Sequence, residues 1–86
     1  MNWHKHSCPP NTSGPFITAT SVAGSFSYNV LEFYKKGEVV ILGSQTDEGK
    51  QLRLTREIYK TGFYEIKGCH VYLVDVNFWA EIKPPK

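Results

Sequence analysis

The sequence predicts a mainly β protein: five to seven strands in a small antiparallel sheet or partly closed barrel. An α+β arrangement with one short helix is the alternative. Three observations carry this. Apolar and polar residues alternate along several short stretches, above all VYLVDVNFWAEI at 71–82. Those stretches are rich in β-branched and aromatic residues, which fit a pleated, half-buried surface. Segments bearing Gly, Pro, Asn or Ser separate them at short intervals. With 86 residues the chain is one domain, 1–86. A chain so short exposes about a third of its unfolded surface even when folded.

The elements follow in order. PPNTSG, 9–14, is irregular and rich in turn residues. PFITATS, 15–21, is a first clear strand, and Ala23-Gly24-Ser25 breaks it. FSYNVLEFY, 26–34, is a second strand, with Tyr28, Val30 and Tyr34 on one face and Asn29, Leu31 and Phe33 on the other. Lys35-Lys36-Gly37 reads as a hairpin turn, answered by EVVILG at 38–43. The run Val39-Val40-Ile41-Leu42 is apolar on both faces, so that strand is expected to be central and covered on both sides. SQTDEGK, 44–50, is expected to be a polar loop. Residues 51–62 suit a strand through Leu52 and Leu54. A helix bearing Leu54 and Ile58 and capped by Gly62 is the rival. FYEIK is a short strand and Gly68 marks a turn. The last strand is expected to run unbroken over 71–82, with Tyr72, Val74, Val76, Phe78, Ala80 and Ile82 on one face. Pro84 and Pro85 stop it.

Charge excludes a dedicated nucleic-acid binder. Ten Lys and Arg stand against eight Asp and Glu, and the two signs are interleaved. No run of apolar residues is long enough to span a membrane, and MNWHKHSCPP has no apolar signal core. The expectation is a soluble protein of the bacterial cytoplasm with Cys8 and Cys69 as reduced thiols.

Two readings of the N-terminus stand side by side. If 3–8 is extended, His4, His6 and Cys8 share a face and make half a zinc site, with Cys69 or His70 to complete it. The plainer reading is a polar, exposed strand and one small buried thiol. No cofactor is expected under that reading. The chain lacks GxSxG, a P-loop, GxGxxG and HExxH, and its carboxylates show no catalytic pairing, so an enzyme is not expected. Asp75 lies on the less apolar face of the last strand, as do Asn77 and Trp79. A Trp there implies a covering partner. Alternatively it packs beneath the N-terminal segment near Trp3.

The opening MNW, then YNVLEFYKKGEVV and VNFWAEIKPPK, resemble the short phage and bacterial proteins of the DUF 551 family. Those begin with a Met-x-Trp stretch and end with an aromatic, a Trp and a proline-rich tail, matched here by Phe78, Trp79, Pro84 and Pro85. The resemblance implies a phage or mobile-element accessory protein that sequesters a host signal or occludes a host protein. No catalytic residue comes with it.

The expected function is therefore non-enzymatic binding, through a sheet face and with a homo-oligomer plausible from the small core. For a nucleotide-like ligand, Trp79, Tyr72 or Tyr34 would stack on a base, and Lys35, Lys36, Arg53 or Arg56 would meet phosphate. The alternatives are a zinc-stabilised interaction domain on His4, His6 and Cys8, or a weak nucleic-acid-binding module of OB-like shape.

Overall fold

The computed structural model describes residues 2–83. Met1 and the prolines expected to end the last strand, Pro84 and Pro85, lie outside the described residues. Eight strands follow one another: β1 (His4–Lys5), β2 (Gly14–Val22), β3 (Ser25–Tyr34), β4 (Val39–Asp47), β5 (Lys50–Glu57), β6 (Gly62–Lys67), β7 (His70–Val74) and β8 (Phe78–Glu81). Six form one antiparallel sheet in the order β1-β8-β2-β3-β6-β7, and β4 and β5 form a separate hairpin. The mainly β expectation holds, and the sheet is open. The described residues contain no helix, so the helical rival over 51–62 gives way to β5. Accordingly, among these residues no helix is long and apolar enough to cross a membrane.

Tight turns set the pairing. Val22 pairs with Ser25 around Ala23 (φ 48°) and Gly24 (φ 83°). Asp47 pairs with Lys50 around Glu48 (φ 50°) and Gly49 (φ 77°). Two consecutive residues at positive φ are the mark of a type I′ turn, whose twist suits a hairpin. So the β2/β3 and β4/β5 hairpins close locally. The stretch expected to be a polar loop, 44–50, instead carries both strands of the second hairpin up to its turn.

The expected hairpin between 26–34 and 38–43 does not form. Lys35–Glu38 is a turn, with the Glu38 N–H donating to the Lys35 carbonyl at 3.1 Å. The chain then pairs with Ile58: Gly37 N–H donates to the Ile58 carbonyl and Ile58 N–H to the Glu38 carbonyl, each at 2.8 Å. This diverts β4 out of the sheet, and β6 takes the place beside β3 through Glu32, Phe33 and Tyr34. Nor is β4 covered on both sides. Val40 is buried, but Val39 and Ile41 are about 60% exposed.

The expected strand over 71–82 is two strands with a break at 75–77. Asn77 makes the break. Its N–H donates to the Ala19 carbonyl at 3.0 Å, and its Oδ1 accepts from Ser21 N–H at 2.7 Å. The Thr20 hydroxyl donates to the Asp75 carbonyl at 3.2 Å. Three residues thus carry the chain between β7 and β8, which stand four places apart in the sheet. In a flat sheet those strands would lie about 19 Å apart, whereas Val74 to Phe78 spans about 14 Å fully extended. The sheet therefore curls.

Inside the curl lies the main core: Phe16, Leu31, Phe33, Phe63, Val76 and Trp79. Phe16, Phe33 and Phe63 meet edge to face at centroid separations of 5.1–6.5 Å, a favoured aromatic geometry. A second core sits on the outer face of β3, β6 and β7. There Val40 and Ile58, from the root of the β4/β5 hairpin, cover Tyr64, with Tyr34, Leu42, Val71 and Leu73 around it. Beyond this root the hairpin projects, and all eight residues of β5 are exposed.

Candidate functional site

Trp79 is not available to a partner. It is 6% exposed, and the break at 75–77 turns it into the main core. Its Nε1–H donates to the Cys8 carbonyl at 2.9 Å and its ring stacks on His4 at 4.3 Å. Trp79 therefore packs beneath the N-terminal segment, but against His4 rather than near Trp3, which lies on the other face beside Tyr28. Asp75 and Asn77 are exposed; the Asn77 Oδ1 and the Asp75 backbone carbonyl, not the Asp75 carboxylate, take part in the crossing described above.

The three candidate zinc ligands do not come together. β1 holds only His4 and Lys5, and the chain turns at once, with Cys8 N–H donating to the Lys5 carbonyl at 2.9 Å. His4 is committed to Trp79. Among the described residues no three His, Cys, Asp or Glu side chains gather at metal-binding spacing. Cys8 and Cys69 are both free and exposed, so neither is the buried thiol expected.

The basic and aromatic candidates are dispersed. Lys35 and Lys36 flank the 35–38 turn, where their N–H groups donate to Glu38 Oε1 and Thr61 Oγ1. Tyr34 is half-buried in the second core; burial, then the Glu32 and Glu38 carboxylates, raise its phenol above the ordinary 10.0. Arg53 and Arg56 lie on opposite faces of β5 by strand alternation. Arg53 edges a notch formed by Gly43, Ser44, Leu52 and Leu54 in the projecting hairpin.

Arg56 and Tyr72 do come together. They line one open cleft of about 300 Å³ between the end of β5 and edge strand β7. Tyr59, His70 and Glu57 complete its wall, and Tyr64 and Ile58 lie at its base. The His70 and Tyr72 rings are 6.0 Å apart and tilted by 35°, side by side on β7. Tyr59 meets Tyr64 edge-on at 6.5 Å. Tyr64 is fixed by its hydroxyl, which donates to the Lys60 carbonyl, and burial followed by Tyr59 raises its phenol above 10.0. The cleft therefore has a firm base at Tyr64, an exposed ring at Tyr59, and the edge of β7 as its far wall; strand alternation turns the His70 and Tyr72 side chains to the face opposite Val71.

Its chemistry is that of a holder. A guanidinium presents a planar fork of donors that matches phosphate or carboxylate. The Tyr59 ring offers a face to a planar group. Glu57 offers an acceptor for hydroxyl or amino groups. Tyr59 and His70 were not among the expected ligand-binding residues. Nothing between 59 and 70 marks them as neighbours, because β6 must lie in place before β5 and β7 meet. A second exposed feature, an aromatic patch at the other end of the outer face, is described below. No protein-family model, no curated protein and no solved structure matches this chain.

Proposed function

We propose that this protein is a non-enzymatic binder of a small anion bearing a planar ring, a nucleotide-like ligand, in the cleft between β5 and β7. The observation that carries the reading is the meeting of Arg56 and Tyr59 with the edge of β7 at His70–Tyr72 around one opening. Arg56 meets the phosphate, the exposed Tyr59 ring receives the base against the β7 edge, and Glu57 accepts from the sugar or from an exocyclic amine. The cleft's volume of about 300 Å³ is at the small end of ligand sites, which suits a mononucleotide rather than a dinucleotide. The DUF 551 resemblance supplies a setting, in which a phage or mobile-element protein withdraws a signal from its host.

Isothermal titration with adenosine 5′-monophosphate at low salt tests this. Binding is expected, and Arg56→Ala is expected to weaken it by about 1.5–3 kcal/mol, the worth of a hydrogen bond to a charged group. Tyr59→Ala is expected to weaken it by about 1–3 kcal/mol through lost stacking. Absence of binding, or equal binding by wild type and Arg56→Ala, overturns the assignment.

A further inference from the structure

The outer face of β1, β8, β2 and β3 carries an apolar patch with no second layer over it. Register places its residues. Ala19 pairs with Tyr28 and Phe78, Ile17 with Val30 and Ala80, and Ser21 with Phe26, so all of these lie on one face. The rings form a connected group: Trp3 to Tyr28 at 6.0 Å, Tyr28 to Phe26 at 6.4 Å and Phe26 to Phe78 at 6.0 Å. Trp3, Phe26, Tyr28, Val30 and Ile82 are 40–62% exposed. Apolar patches of this kind on a soluble surface mark contact sites.

We infer that this patch is the interface of a two-fold homodimer, two copies packing their outer faces as the two sheets of a sandwich. Three features favour a second copy as the occupant. The first is area. The chain exposes 6575 Å², whereas a folded monomer of its mass is expected to expose about 5,200 Å². Part of that excess lies on the projecting β4/β5 hairpin, and the share on this patch, at Trp3, Phe26, Tyr28 and Val30, is what a second copy would cover. The second is shape. The rings of Trp3, Phe26 and Tyr28 stand over Ala19 and Ala80, which are 3% and 0% exposed, with the small, exposed Ser21 beside them, so two copies can interleave their raised rings. An isologous interface requires such self-complementarity. The third is charge. Lys5, paired with Phe78, stands at one end of the patch, and Glu32, two residues beyond Val30 on the same face, stands at the other. A two-fold axis crossing the patch between Ile17 and Ala80 sets Lys5 of each copy against Glu32 of the other. The ligand cleft lies elsewhere, so the two proposals stand or fall separately.

Sedimentation equilibrium of the full chain, from micromolar to submillimolar concentration, tests the inference. Wild type is expected to sediment at twice the chain mass. Tyr28→Lys replaces a ring that is 62% exposed in the single chain, so the fold is expected to tolerate it; self-association should weaken about tenfold or more. Lys5→Glu and Glu32→Lys should each weaken the dimer, and the two together should restore it. A monomer at every concentration overturns the inference and leaves the patch to a different protein. A dimer indifferent to Tyr28→Lys also overturns it, since another surface would then be responsible.

Discussion

The outer face of the sheet has two halves built from similar residues with different fates. On β3, β6 and β7 it carries Tyr34, Tyr64, Val71 and Leu73, and the root of the β4/β5 hairpin seals them into a core in which Tyr64 is 1% exposed. On β8, β2 and β3 it carries Phe26, Tyr28, Val30 and Phe78, and Tyr28 remains 62% exposed. Strand alternation puts both sets outward in the same way. What separates them is an excursion of the chain: Gly37 and Glu38 tie back to Ile58, so the hairpin root lands over one half only. An apolar face becomes core or contact surface according to what the rest of the chain lays over it. The molecule's radius of gyration of 15.2 Å, against about 12 Å for a compact chain of this length, reflects the projecting hairpins that result.

The largest expected effect separates the halves directly. Ile58→Ala removes a side chain that is 2% exposed beneath the hairpin root and is expected to cost about 2–5 kcal/mol. Val30→Ala on the bare half is expected to change stability by less than about 0.5 kcal/mol in dilute solution. Urea unfolding of both variants at low protein concentration measures the difference. Equal costs would mean that the bare half is already covered within one chain.

Trp79→Phe has a smaller effect. It keeps a ring in the main core but removes the Nε1–H donor to the Cys8 carbonyl. Because that carbonyl belongs to an exposed residue and can turn to water, the cost is expected to be about 1 kcal/mol. A drop in urea midpoint without a change in slope is the expected reading.

The smallest effect concerns the turn that diverts β4. The Ser13 hydroxyl and then the Lys35 N–H donate to the Glu38 carboxylate and hold it below its ordinary 4.5; slight burial opposes this and the Lys35 charge assists. A carboxyl depressed by folding stabilises the native state above its unfolded value and loses that contribution as pH falls through the folded value. Wild type should therefore lose this part of its stability below about pH 4.5, and Glu38→Gln should show a smaller acid loss. Thermal melts at pH 6 and pH 3 compare them.

Much of the strand layout was legible, because each strand's alternation is local. Residues 15–21, 26–34 and 63–67 lie within β2, β3 and β6. Pairing was less legible. Lys35-Lys36-Gly37 looks like a hairpin turn by composition, while Ala23-Gly24 and Glu48-Gly49 form the tighter ones. Which turn closes a hairpin depends on whether β6 displaces β4 beside β3, a contest between distant segments. The break at 75–77 was hidden because Asp75 and Asn77 continue the alternation of their neighbours. Only their bonds to Thr20, Ala19 and Ser21 reveal it, and with it the inward turn of Trp79. The candidate site was legible in part. Arg56 and Tyr72 meet, whereas Trp79 belongs to the core and the His4, His6 and Cys8 set disperses.

The bare half can be read through one residue. In Trp79→Phe, Trp3 is the sole tryptophan, and it lies in the patch at 40% exposure. Acrylamide quenching of its fluorescence, followed as protein concentration rises, reports what covers the patch. Quenching should be strong in dilute protein and fall as the two faces meet, with the midpoint matching that of sedimentation. Strong quenching at every concentration would contradict the assignment of this half to a second copy.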